Sequence, residues 1–497
     1  MITEMVHPSL WLATSNSTNY PSVTRDMTVD VAIVGGGIAG LTAALLLKQM
    51  GKRVAVIEAD RIVEGVTAYT TAKLTSLHTL IYAKLTQRFD AQTALAYGAA
   101  NQAAIELVAQ LVDSYGIDCD FNYASAYTYT QSQDEVAQIE AEVRAAQNAG
   151  LPAQLVTETP LPFEIAAAVR FDNQAWFHPR KYLLALAEQI HGDGSYIFER
   201  TLAKDIDSGE PCQVETDRGT VTATDVIIAS HFPFYDKAFY FARLEPHFSY
   251  LMAMTLNGPV PEGMFIDTQA EHTLRRHVTN GEEMLLVGGQ GHKTGQGGDT
   301  TERYQRIEEW ARRHFPVKQI LHRWATQDYT TPDEIPYIGR LTPTSRHLYV
   351  ATGFKGWGMT SGTAAGLILA DLIAGRPNPW ASVFDPNRFD LDSVPKLTKQ
   401  NLNVANEFAK GYLLPEEEGV LPRGQGSVVD GPDGKEAHYH AEDGTYYRVS
   451  AICPHMKCVL SWNPAEKTWD CGCHGSRFGA DGRVIHGPAL SDLEVKG

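Results

Sequence analysis

Residues 29–40 read Val-Asp-Val-Ala-Ile-Val-Gly-Gly-Gly-Ile-Ala-Gly, an apolar run that stops at three consecutive glycines. Apolar residues fill 41–50, Gly51 interrupts, and Val-Ala-Val-Ile follows at 54–57. Strand, tight turn, helix and second strand in this order open a doubly wound β-α-β fold. Gly35 permits the turn out of the strand. Gly37 lets backbone approach a pyrophosphate, and Gly40 lets helix and strand pack closely. Ile38 and Ala39 begin the helix, whose free N–H groups and positive dipole end face the phosphates. Glu58 ends the second strand, placed to accept ribose hydroxyls. The motif fits a dinucleotide without separating FAD from a nicotinamide.

The chain has 497 residues, enough for two or three domains. Its formal net charge of −17 argues against nucleic acid and anionic membranes as partners. Residues 1–4 do not begin a secretion signal, and no run of about 18 apolar residues occurs, so no membrane span and a cytoplasmic location are expected. Four of the six cysteines crowd between 453 and 473, which reads as a metal site rather than a disulfide scaffold.

Helices are predicted over 91–115 with Asp90 as N-cap, over 132–149 with Ser132 and Glu135 as a capping box and Gly150 as stop, and over 181–191 after His178-Pro179. Strands are expected around 196–203, 212–216 and 219–229, and the region 245–293 is strand-rich. A helix at 302–314, a strand at 348–351 and a helix at 361–374 follow. Pro377, Pro379 and Pro386 mark a composition break. An amphipathic helix at 394–411, with Leu397, Val404 and Phe408 on one face, is expected to pack against the body. Pro415, the acidic run 416–418, Pro422 and Gly424 form a second break, and short strands with turns follow.

A second glycine-rich segment runs Thr352-Gly353-Phe354-Lys355-Gly356-Trp357-Gly358-Met359, preceded by Thr331-Pro332-Asp333 and Pro336-Tyr337-Ile338-Gly339. Over roughly 28–380 the chain resembles the D-amino-acid-oxidase-like superfamily, which includes sarcosine, glycine and γ-glutamylputrescine oxidases. The resemblance implies an α/β FAD-binding Rossmann-like domain of the glutathione-reductase type 2 kind, with an α+β substrate domain. It implies FAD contacts at Gly35, Gly37, Ile38, Ala39, Gly40 and Glu58; at Thr71, Ala72 and Lys73; at Ala203; and at Gly353, Gly356, Gly358, Met359 and Thr360. The oxidoreductase would occupy 1–385, with FAD-binding parts near 28–80, 171–234 and 326–380 and substrate parts near 81–170 and 235–325. A linker helix would fill 386–412. Some relatives attach FAD covalently through a His after the ribose acid or a Cys near the C-terminal flavin helix. Here 65–69 holds no His and no Cys falls between 212 and 453, so non-covalent FAD is expected.

Cys453-Pro454-His455 and Cys471-Gly472-Cys473-His474 form a C-x-H…C-x-x-H set. Two thiolates on one iron and two imidazoles on the other hold a [2Fe–2S] cluster of raised potential. Cys2His2 zinc sites instead keep a Cys pair apart from a His pair. Residues 413–497 resemble an all-β Rieske domain. By that resemblance Cys458 and Cys473 pair as a disulfide, Ser476 donates to a cluster sulfur, and Gly487-Pro488-Ala489 is the third loop shielding the cluster. High-potential Rieske proteins carry Tyr where this chain has Phe478. One hydrogen bond fewer predicts a midpoint below that of the respiratory Rieske proteins, within the family range of about −150 to +300 mV.

These signatures together predict an amine or amino-acid dehydrogenase. Electrons would pass from reduced flavin to the cluster, then through exposed His455 and His474 to an acceptor protein or quinone. Lys73, His231 and Lys355 are candidate bases by position. The alternatives are an NAD(P)H-dependent reductase component and a non-turnover redox carrier or sensor. Arg275 and Arg276 read as a charged strand face, and His438 and His440 as solvent-facing. Segment 289–293 reads as a tight turn near the flavin, and Cys119 and Cys212 as inert thiols.

Overall fold

The computed structural model describes residues 7–279, 281–388, 390–413 and 421–496. Pro415 and the acidic run 416–418 lie outside the described residues.

The first sheet is built on the glycine motif. Met27–Val34 pairs in parallel with both Val54–Ile57 and Thr220–Ile228, and Thr220–Ile228 pairs in parallel with Leu348–Thr352. Tyr196–Phe198 and Tyr337–Arg340 close the two edges. The inner ends of the central strands, residues 31–34, 54–57 and 226–228, are apolar because both faces are covered. Both glycine-rich turns leave parallel strands at the same sheet end, with Thr220–Ile228 between them, and each feeds a helix. Helix Ile38–Gln49 follows the first turn and Gly358–Ile373 the second. The second helix starts three residues earlier than its sequence pattern indicated, because the turn closes at Trp357. The two helices touch through small residues. A Cβ on Gly362 would stand 2.7 Å from Ile38 Cγ2, and one on Gly366 would stand 2.5 Å from Thr42 Cγ2.

The second sheet has nine strands. It carries Glu245–Leu256 between Val317–Thr330 and Glu282–Lys293, and continues through Asn122–Thr130 to Ala167–Trp176 and Lys73–Leu74. It takes Lys73–Leu74 and residues 326–330 of Val317–Thr330 from the parts assigned above to FAD binding. Segment 289–293 is the end of strand Glu282–Lys293, kinked at Gly289 and Gln290, rather than a free turn. The capping box at 132–135 does not form. Glu135 accepts from Thr130, Thr268 and Gln269 instead, tying the helix start to the sheet.

The C-terminal region holds a three-stranded sheet, Gln425–Gly431, Gly434–His440 and Tyr446–Ser450, and a four-stranded one from Leu460–Asn463 to Val484–His486. It has its own core, with Trp469 and Phe478 fully buried. Polar bonds dock it on the body: Thr300 Oγ1 to Asn463 Oδ1 at 2.6 Å, Tyr304 Oη to Glu466 Oε1 at 2.7 Å, and Gln296 Nε2 to Gly472 O at 3.0 Å. Arg477 lies over the Phe248 ring, 4.4 Å from its centroid. Helix Val394–Leu413 spans the junction. It holds the body by polar groups, Gln400 to Leu244 O and Lys293 to Asn403, while Phe408 stays exposed. The expected apolar seam is confined to Val404, which packs on the C-terminal core.

Replacing Gly366 with Val drives a side chain into Thr42 and the backbone of Ala43. A loss of about 1–3 kcal/mol is expected, read as a lower Tm together with a lower flavin content in the purified protein.

Candidate flavin cavity and iron–sulfur centre

A cavity of about 2210 Å³ runs along the carboxyl ends of the parallel strands. Gly35, Gly37, Ile38, Ala39, Glu58, Thr71, Lys73, Ala203, Gly356, Gly358 and Met359 all line it, as do His231 and Lys355. Four expected contacts do not. Gly40 packs inward, where a Cβ would meet Gly35 O at 2.0 Å. Ala72 is buried at a turn with φ 55°. Gly353 faces Thr331. Thr360 bonds to Thr75 O and to the buried ring of His78.

The lining fits FAD. Glu58 accepts Gly36 N–H at 2.8 Å and Asp60 N–H at 3.1 Å, so its carboxylate is fixed as an acceptor at the cavity wall. Helices Ile38–Gln49 and Gly358–Ile373 both open toward the cavity without a side-chain cap, leaving N–H groups for phosphate or for ring oxygens. Burial, with Arg275 nearby, holds Lys73 well below the ordinary lysine range. Its Nζ donates to Phe265 O and Thr273 Oγ1, both neutral oxygens. Lys355 is instead paired with Glu334.

Arg275 corrects the reading of a charged strand face. It is fully buried between Trp11 and Trp176, with its guanidinium 5.2 and 5.1 Å from their ring centroids, and it donates to Thr71 O. It thus supports the segment that presents Lys73. His438 and His440 are half-buried, bonded to Glu436 and Leu421 O. Burial pushes the thiols of Cys119 and Cys212 up to about 12 and about 11.

In the C-terminal region the two motif loops meet. Cys458 and Cys473 form a disulfide, while Cys453 and Cys471 are free and buried. The mutual interaction of these two buried thiols draws Cys453 down and pushes Cys471 up. The His455 and His474 rings lie 5.1 Å apart at 87°. Their Nδ1 atoms are buried without a hydrogen-bond partner among the described residues. Buried unsatisfied nitrogens of this kind call for a ligand. Two thiols and two imidazole nitrogens fit the donor set of a [2Fe–2S] cluster. The sulfurs of Cys458, Cys471 and Cys473 also lie within 4.8 Å of one another, but the disulfide occupies two of them. Ser476 lies within hydrogen-bonding reach of Cys453, and its Oγ accepts Ala489 N–H.

The imidazoles are not both exposed. His474 is buried, edge-on to Phe241 of the body at 5.6 Å, while His455 is half-buried beside Phe232. Sequence reasoning also missed the residues of the body that meet this region. Tyr329 Oη donates to His474 O at 3.1 Å and Gly487 O at 3.3 Å, and Gln327 Nε2 donates to Gly475 O at 2.8 Å. Residues 483–490 of the C-terminal region form part of the flavin cavity's wall.

The family model for FAD dependent oxidoreductases matches residues 30–372, and that for the Rieske [2Fe-2S] domain matches 416–496. The chain belongs to the FAD-dependent oxidoreductases. It carries a Rieske [2Fe–2S] domain, and its cofactors are FAD and that cluster. It is 38% identical over 491 residues to a Bacillus subtilis chain named as a Rieske 2Fe-2S iron-sulfur protein, YhfW, covering 97% of this chain and 96% of that one. It is 24% identical over 409 residues to the γ-glutamylputrescine oxidoreductase of Escherichia coli, 77% of this chain and 91% of that one. Glycine oxidase from Geobacillus kaustophilus shares the fold at a TM-score of 0.62 and 20% identity, over 73% of this chain and 99% of that one. Among the described residues no helix is long and apolar enough to cross a membrane.

Two outcomes test this site. The disulfide closes a 15-residue separation, a loop worth about 3 kcal/mol. Cys458→Ser is expected to shorten the lifetime of the cluster band on warming, with flavin absorbance retained. Phe478→Tyr is expected to raise the cluster midpoint in a redox titration; an unchanged or lower value refutes the reading of Phe478.

Proposed function

We propose that this oxidoreductase is an amine or amino-acid dehydrogenase: its donor reduces the flavin, and electrons leave through the Rieske cluster to an external protein or quinone. The observation that carries this reading is the shared wall, Rieske residues 483–490 lining the cavity that also holds the FAD-motif residues. A donor-side site and an electron outlet then lie within one enclosure. The cavity exceeds the roughly 300–1,000 Å³ of an ordinary ligand pocket, which supports room for a substrate beside the cofactor and disfavours a carrier with a blocked flavin.

FAD, when bound, supplies the hydride acceptor and converts two-electron to one-electron transfer. The chain's residues supply the rest. Glu58 and the two uncapped helix ends hold and polarise the cofactor. Cys453, Cys471, His455 and His474 are the ligand set proposed for the cluster. Lys73 is the base we assign. Its amine is buried and bonded only to neutral oxygens, and burial with Arg275 nearby lowers its pKa well below the ordinary lysine range. It takes a proton from the substrate ammonium, leaving a free amine able to release hydride. Lys355 is committed to Glu334, and His231 to the bonds described below.

The test is anaerobic absorbance of the holoprotein during addition of NADH, NADPH and a panel of amino acids, N-methyl amino acids and polyamines. Bleaching of the flavin by an amine, with the cluster bands fading in step, is expected. Bleaching by a nicotinamide alone makes the protein a reductase. With the donor found, Lys73→Met is expected to slow flavin reduction by about 10²–10⁴-fold. The wild-type rate should rise with pH as the Lys73 amine loses its proton, below the range of an exposed lysine. The variant should lose that limb of the profile.

A further inference from the structure

His231 belongs to the flavin side of the molecule and His486 to the Rieske domain, yet their rings are hydrogen-bonded, Nδ1 to Nε2, at 2.7 Å. Both line the flavin cavity. His231 Nε2 lies 2.9 Å from Asp328 Oδ1, and the other oxygen of Asp328 accepts the Gly356 N–H of the second flavin turn. On the far side, His486 Nδ1 faces Gly487 O at 3.1 Å. That carbonyl also accepts from Tyr329 Oη, which reaches the carbonyl of His474 as well. One hydrogen-bonded chain thus runs from the second flavin turn to the backbone of a cluster-motif histidine.

Its hydrogens can be counted. A carbonyl only accepts, so His486 Nδ1 carries a hydrogen and Nε2 a lone pair. His231 Nδ1 must then donate. Its Nε2 faces a carboxylate oxygen, so a second hydrogen lies between His231 and Asp328. The chain therefore holds one proton more than two neutral imidazoles and an ionised carboxylate. Burial, reinforced by His231, pushes His486 down to about 3, in keeping with its neutral place in the count. His231 also sits at φ 66°, a left-handed conformation for a non-glycine residue, and Thr352 fixes its carbonyl. Backbone in such regions costs of order 1–3 kcal/mol and persists where the surroundings over-determine it.

We infer that His231, His486 and Asp328 are positioning residues for transfer between flavin and cluster, a proton-sharing bridge that holds Rieske residues 484–490 against the flavin cavity. No bond is made or broken in the bridge during turnover, and its proton stays. Its role in electron transfer rests on the route proposed above, whereas the docking of the loop does not. Gln at 486 preserves the pattern, because its carbonyl accepts from His231 and its amide donates to Gly487 O. Phe preserves the volume and neither bond.

The experiment compares full-length holoprotein as wild type, His486→Phe and His486→Gln. Amide hydrogen exchange over 484–490 is measured by mass spectrometry. The rate at which the cluster band bleaches after flash photoreduction of the flavin is measured separately, without any substrate. In His486→Phe the loop should lose protection and the bleaching rate should fall at least about tenfold, as misplacement near 1 Å can. His486→Gln should restore both. If His486→Phe loses its cluster, His231→Ala breaks the same bond from the flavin side and is read in the same way. Unchanged protection and rate in the broken variants, or a Gln variant that behaves like Phe, overturns the bridge. A wild-type flavin that no amine bleaches, with the variant pattern intact, overturns the donor assignment and leaves the bridge standing.

Discussion

The contacts of the body with the cluster loops hang on the end of one strand, Val317–Thr330. Val317–Thr330 is paired along its length with Glu245–Leu256, so its side chains alternate faces without freedom to slip. Gln327 and Tyr329 point into the Rieske domain, to the carbonyls of Gly475, His474 and Gly487. Asp328, between them, points the other way, to His231 and the flavin turn. A slip of one residue would exchange these faces and remove the contacts to both domains. Gly475 completes the fit, since any Cβ there would stand 2.6 Å from Pro246 and 2.8 Å from the Gln327 amide.

The junction is polar rather than greasy, and it is well satisfied. Asn463, Glu466 and Gly472 each find a partner across it, and Ala465 reaches the core beside the nine-stranded sheet. A buried polar group left unpaired costs about 1–3 kcal/mol, so such a surface is stable only against its matched partner. Deeper in the body Arg275 follows another rule. With two indoles as walls and Thr71 O as acceptor, its charge is met by quadrupoles and a carbonyl rather than a carboxylate. The same arrangement sets a positive charge near Lys73, which disfavours a second one.

The parts legible in the sequence were those whose signal is local. The glycine turn at 35–40, the helix at 91–115 with its Asp90 cap and the paired Cys–His motifs each carry their chemistry within a few residues. What escaped depended on distant chain. Glu135 looked like a cap because Thr268, which takes its carboxylate, is far away in sequence. Arg275 looked like surface because neither Trp11 nor Trp176 is near it in the chain. His474 looked exposed because its cover, Phe241, belongs to another domain. Tyr329 and Asp328 carry no motif at all, and only the register of their strand gives them a role.

The shared wall has a consequence for how the molecule comes into being. The cavity is lined both by the glycine turn at Gly35 and by residues near His486, about 450 positions later. Domains fold largely in the order of synthesis, so the flavin half can reach its own sheet and helices while one side of its cavity is still open to water. That side of the cavity is closed by the Rieske residues 483–490, which are synthesised after the flavin half.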